Sequence, residues 1–135
     1  MREIKFRAWD KTDKIMVQVM EMCFHQWWLQ VSLDDSEENY KGYGERHSFS
    51  NQETDRFVLM QYTGLKDKNG KEIYEGDFLD CGGFNRVVEF HPSCFFGVYG
   101  DDWVELYSHN YMDSEVVGNI HENPELLTKS KTSAL

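Results

Sequence analysis

The sequence predicts a mainly β protein, built as a small barrel or sandwich, on three observations. Short stretches alternate apolar with polar residues or are rich in β-branched and aromatic ones. Glycine-, Asn- and Asp-bearing turn signals separate them, and no run at the helical period is long. At 135 residues the chain fits one domain, and 40% hydrophobic and 15% aromatic content supports a packed core rather than a disordered polymer.

The elements follow in order. Ile4 to Trp9 alternates, Asp10 to Lys14 is a polar turn, and Ile15 to Met20 returns, so residues 4–20 read as a hairpin. Residues 22–33 are expected to be extended from their β-branched and aromatic content. Residues 34–55 are acidic, contain glycine and lack periodicity; they are expected to be a variable, disordered insert where a partner would land. Arg56 to Thr63 is a strand. Phe78 to Cys81 and Phe84 to Phe90 pair around Gly82-Gly83, and Phe95 to Tyr99 and Val104 to Tyr107 flank a turn at Gly100 to Trp103. Glu115 to His121 is the last strand. Asn123-Pro124 then opens a short helical turn, with Asn at the cap and Pro at the first helical position. Residues 128–135 form a polar, flexible tail. The expectation is a single domain over 1–127 with its barrel core at about 56–121.

The polar run from Gly64 to Asp77 reads as fold rather than chemistry. Asp67-Lys68-Asn69-Gly70 matches a type I turn, with Gly70 taking the left-handed conformation of the adjoining bulge. That register sets Leu65 against Ile73, Lys66 against Glu72 and Gly64 against Tyr74. A two-residue Asn-Gly turn would instead place Lys68 against Lys71 and Asp67 against Glu72, and facing like charges are unfavourable. Glu75-Gly76-Asp77 forms the next corner, where Asp77 bonds backbone amides.

Composition excludes some functions. A formal net charge of −10 repels phosphate backbones and disfavours general nucleic-acid binding. The three cysteines, Cys23, Cys81 and Cys94, cannot all pair internally. With no apolar h-region in MREIKFRAWDK and no membrane-length apolar run, they point to reduced thiols and the cytoplasm.

Three blocks, REIKFRAWDK, LMQYTGLKDKNGKEIYEGDFL and VVGNIHENPELL, together resemble the YopX family of small bacteriophage and prophage proteins. The blocks lie at the start, middle and end of residues 2–127. The resemblance implies an SH3-like β-barrel core and self-association. It implies no established activity and carries over no catalytic residue.

Residue types nominate several sites. Cys23, His25, His91 and Cys94 are zinc-ligand types, but neither pair has CxxC spacing, so no metal and no cofactor is expected. Glu72, Glu75, Asp77 and Glu122 lack a nucleophile or phosphate loop beside them; no catalytic residue is assigned and the protein is read as a non-enzyme. The candidate binding surface is Trp9, Tyr62, Lys66, Lys68, Lys71, Tyr74, Glu75, Asp77, Trp103 and Asn119. Nine Phe, seven Tyr and four Trp exceed what a modest barrel readily buries, which favours a protein partner or homo-oligomer, with Trp27, Trp28, Trp103, Tyr107 and Tyr111 as interface candidates. The expected role is a non-enzymatic binding or assembly module. The alternative is a nucleic-acid-binding accessory protein using Arg86, the three lysines and stacked aromatics, at about 1–3 kcal/mol per base. No membrane partner is expected.

Overall fold

Eleven strands form two antiparallel sheets in the computed structural model, which describes residues 3–33, 40–91, 94–99, 102–106 and 114–127, without the side chains of 96, 99, 102, 103 and 105. The strands are β1 Phe6–Asp10, β2 Ile15–Cys23, β3 Trp28–Ser32, β4 His47–Ser48, β5 Phe57–Lys66, β6 Glu72–Tyr74, β7 Asp77–Asp80, β8 Asn85–Phe90, β9 Phe95–Tyr99, β10 Asp102–Glu105 and β11 Glu115–Asn119. One sheet runs β4-β3-β2-β1-β5-β6 and the other β10-β9-β8-β7-β11. Both are open ladders, so among the described residues the expected closed barrel is replaced by two sheets. The chain separates into two compact units, residues 5–61 and residues 62–135 with 1–4; β5 runs from one into the other.

The N-terminal unit begins with the expected hairpin, in which Ala8 faces Val17 and Asp10 faces Ile15. Its turn closes through the Lys14 amide on the Asp10 carbonyl at 2.7 Å, with Lys14 in the left-handed region (φ 56°). The ambiguous segment 22–33 forms a second turn-and-strand: β2 extends to Cys23, the chain turns over Phe24 to Trp27, and β3 returns. Alternation along β3 sends Leu29 and Val31 into a core with Ala8, Val17 and Phe57.

Tyr40 and Phe49 complete that core. Residues 34–39 lie outside the described residues, but 40–55 differ from the disordered insert expected of them. They carry two buried aromatic rings and the short strand β4, and burying each ring contributes about 1.5–3 kcal/mol. A Cβ at Gly42 would run into the Tyr40 ring, so this chain path needs glycine there.

In the C-terminal unit, Ile73, Leu79, Val88, Phe95, Leu106 and Val116 form the core. The β7–β8 turn uses Gly82 and Gly83, both at positive φ, as the sequence predicts. Strand β10 starts earlier than expected: Asp102 pairs with Tyr99 and Trp103 with Val98, so Trp103 is in a strand rather than a turn. The helical turn covers residues 125–127, yet the Asn123 side chain faces the other way and accepts the Asn119 amide at 3.2 Å. A Cβ on Gly118 would collide with that Asn123 amide group. Among the described residues no helix is long and apolar enough to cross a membrane.

Candidate functional site

The ribbon from β5 to β6 folds locally as its residues dictate. The Gly70 amide bonds the Asp67 carbonyl at 3.0 Å, the Asp67 amide bonds the Lys71 carbonyl at 2.8 Å, and Gly70 has φ 81°. This is the bulged type I turn, and Lys66 pairs with Glu72 as predicted. Beyond that pair the register departs: Tyr62, not Gly64, lies opposite Tyr74, with ring centroids 5.4 Å apart. The Thr63 hydroxyl explains the slip. It donates to the Ile73 carbonyl at 2.7 Å and accepts the Leu65 amide at 3.1 Å, replacing ladder bonds with side-chain ones.

The Asp67 side chain is buried and fastens the turn to the start of β11. Its Oδ1 accepts the amides of Asn69 (2.8 Å) and Lys71 (2.9 Å), and its Oδ2 accepts the Val116 amide (2.9 Å). The Lys68 amide donates to the Ser114 carbonyl at 3.0 Å. Burial pushes the Asp67 carboxyl up, but the Val116, Lys71 and Asn69 amides outweigh it and hold the pKa below the usual value.

The residues of the predicted surface differ in exposure. Lys66, Lys68 and Lys71 are exposed, and Lys68 lies 3.8 Å from Glu115 in an exposed pair of little energetic weight. Tyr62 is only 3% exposed, and Tyr74 and Glu75 are half-buried. Asp77 is buried and accepts the Tyr74 amide at 2.7 Å, the corner role its sequence context predicts. Asn119 is buried and accepts the amides of His121 (3.0 Å) and Glu122 (2.9 Å). Arg86 is buried and donates to the Gly97 carbonyl at 3.1 Å. Trp9 is buried in the N-terminal unit. The Trp103 side chain, and Tyr107 and Tyr111 entirely, lie outside the described residues.

The zinc-type residues divide between the units: Cys23 and His25 in one, His91 and Cys94 in the other. His91 sits 3.2 Å from Glu89, and its backbone pairs with that of Cys94. Among the described residues, no three His, Cys, Asp or Glu converge as a metal site, the group Glu72, Glu75, Asp77 and Glu122 included.

Two arrangements in the N-terminal unit go beyond the sequence reading, which named Trp27 and Trp28 as interface candidates but not their partners. The first is centred on Asp10, which begins the polar turn read from the sequence but is fully buried. Arg56 grips it with Nε on Oδ1 and Nη2 on Oδ2, both at 2.8 Å. The Tyr40 hydroxyl donates to Oδ2 at 2.8 Å, and the Thr12 and Asp13 amides donate to Oδ1 at 2.9 and 3.2 Å. Burial raises the Asp10 carboxyl, but Arg56, Tyr40 and the two amides more than reverse this, so its pKa lies below the ordinary value. Burial and the Asp10 hydrogen bond push the Tyr40 phenol well up, and the same carboxylate raises Arg56.

The second is an aromatic corner between β2 and β3. Phe24 and Trp27 remain 58% and 51% exposed, yet both rings are held edge-on against Phe49, at 6.0 and 5.3 Å between centroids. Phe24 also meets Phe6 at 6.4 Å. The Phe49 amide donates to the Trp27 carbonyl at 3.1 Å. Trp27 has φ 55°, a left-handed conformation that a bulky residue rarely adopts. Trp28, next in the chain, is half-buried beneath the Arg46 guanidinium, 4.2 Å from the ring centroid. The available signal was the pair Trp27-Trp28 itself; which ring stays outside depends on Phe49 and Arg46, distant in sequence.

A sequence model of the YopX protein family matches residues 5–128. The fold is similar to the crystal structure of protein EF1440 from Enterococcus faecalis, with 30% sequence identity and a TM-score of 0.69, covering 94% of this chain and 99% of that one. No curated protein matches the chain.

Proposed function

This chain belongs to the YopX family, and we propose that it is a non-enzymatic binding or assembly module. The observation that carries the reading is the aromatic corner: Phe24 and Trp27 are more than half exposed but positioned against Phe49, and Trp27 occupies strained backbone. Rigid, half-seated aromatic rings are the usual anchors of protein interfaces. The buried carboxylates Asp10 and Asp67 are fully engaged in holding turns, which leaves them structural rather than reactive. A cytoplasmic phage or prophage setting is part of the same proposal and follows from what the family implies. So is the SH3-like relationship, which we assign to an open five-stranded form, β10-β9-β8-β7-β11.

The second reading, a nucleic-acid accessory role, draws on the exposed Lys66, Lys68 and Lys71. It is disfavoured by the net charge of −10 and by the burial of Tyr62, which removes a stacking ring.

Light scattering and cross-linked capture from phage-bearing host cells test the proposal, comparing the native protein with a Phe24→Ser/Trp27→Ser variant. The expected result is a defined assembly, with itself or another protein, that the variant loses while keeping its circular dichroism. A native protein that stays monomeric and captures nothing overturns the reading. A low-salt shift of DNA or RNA, abolished by alanine at the three lysines, would move the assignment to the second reading.

A further inference from the structure

We propose that residues 40–56 form a strap that opens and closes as one cooperative unit on the N-terminal core, latched by the Asp10 carboxylate, and that its closure shapes the Phe24–Trp27 corner.

The strap carries a set of bonds of its own. The Asp55 amide donates to the Asn51 carbonyl at 2.8 Å, the Asp55 carboxylate accepts the Asn51 amide at 2.9 Å and the Ser48 hydroxyl at 3.0 Å, and the Glu53 amide donates to Asn51 Oδ1 at 2.9 Å. These bonds break together with the docking contacts when the strap opens as one local unit. Its ladder to β3 is two residue pairs long, Trp28 with Ser48 and Leu29 with His47. A segment of mostly exposed residues joined to the sheet by so short a ladder opens at a fraction of the global free energy.

The ends explain why opening is cooperative. Tyr40 at one end and Arg56 at the other both bond the same carboxylate, so Asp10 closes the loop at its base. Among the described residues, the side chains bonded to Asp10 are those of Arg56 and Tyr40, and Asp13, whose amide also donates to it, lies 3.2 Å from Arg56. Lys11 adds a lesser tether, its amide on the Arg56 carbonyl at 2.9 Å and its ammonium on the carbonyls of Gln52 and Glu53. Removing the Asp10 acceptor releases both ends together, whereas removing the Tyr40 hydroxyl releases one.

The consequence falls on the aromatic corner. Phe49 rides on the strap, and both Phe24 and Trp27 rest on its ring. When the strap lifts, both lose that support, and Trp27 loses the amide that holds its carbonyl. The strap is therefore a device regulating the surface proposed above; this last step rests on that reading, while strap opening itself does not.

Hydrogen exchange followed by NMR on the full chain tests it without any partner. The amides of Tyr43, Phe49 and Asp55 should share one opening rate, faster than the β1–β2 ladder. Tyr40→Phe should accelerate those three by about five- to tenfold and leave the ladder unchanged, and Asp10→Asn should accelerate them by at least about thirtyfold. Trp27 emission should shift to the red in step. If Asp10→Asn does not fold, Tyr40→Phe, which retains the Asp10–Arg56 pair, decides the matter. Exchange of the three amides at unrelated rates, or at the rate of the whole sheet in every variant, overturns the proposal. Cooperative exchange combined with unaltered assembly of the Phe24→Ser/Trp27→Ser variant would uphold the strap and remove its link to binding.

Discussion

Asp10 and Asp67 each lie beside a hairpin turn, and each is buried with a depressed pKa, but they are neutralised by different means. All three bonds to Asp67 come from main-chain amides, two of them inside its own turn. Asp10 also takes two turn amides, but its strongest partners are side chains 30 and 46 positions away. The difference teaches how a buried turn carboxylate can serve two ends. Fixed by amides, it defines a local shape and one contact. Fixed by an arginine and a tyrosine, it becomes the point where a remote segment is fastened.

The comparison breaks most visibly at Asp10. Asp10→Ala should destabilise the protein by about 3–5 kcal/mol in urea unfolding, because five donor atoms lose their acceptor and the guanidinium loses its counter-charge. Asp67→Ala should cost less, about 2–3 kcal/mol. Asn69 and Lys71 are exposed, so water replaces the carboxylate there and only the Val116 amide is left buried. A smaller loss by Asp10→Ala than by Asp67→Ala would mean that the side-chain cluster is not the stronger fastening.

Acid sharpens the contrast. Both carboxyls have folded-state pKa values below 3.8, so their stabilisation is complete above that value and is lost as pH falls through the folded-state values. Thermal melts between roughly pH 5 and 2 should show a falling midpoint, and Asp10→Asn should flatten part of that fall. An unchanged slope in the variant would remove Asp10 from the acid limb.

The same contrast explains what was legible in the sequence. The Asp67 turn was readable because its code lies in four consecutive residues, with Gly70 at the one position that needs positive φ. The hairpin of residues 4–20 and the glycine turn at 82–83 were local in the same sense. The Tyr62–Tyr74 pairing was not, since a hydroxyl at Thr63 took over ladder bonds that alternation assumes are made. Residues 40–55 looked loop-like because Tyr40 and Phe49 are isolated among polar residues, and only a core built by Leu29, Val31 and Phe57 gives them a place. Short strands with turn signals are common to barrels and open sheets, and closure depends on which distant strands meet. The site was the least legible part. Of the residues placed on the candidate surface, Tyr62, Asp77 and Asn119 are buried while Lys66, Lys68 and Lys71 are exposed; Trp27 was an interface candidate, but the exposed Phe24 beside it was not.

One result of the Asp67 contact concerns what this protein avoids. Among the described residues, strand β11 is the last of its sheet, and a terminal strand invites foreign strands to dock. Its Val116 amide, and the Ser114 carbonyl just before it, are already taken by the Asp67 carboxylate and the Lys68 amide. The lysine-rich ribbon thus stoppers the start of that border, where an incoming strand would otherwise find an open amide and carbonyl.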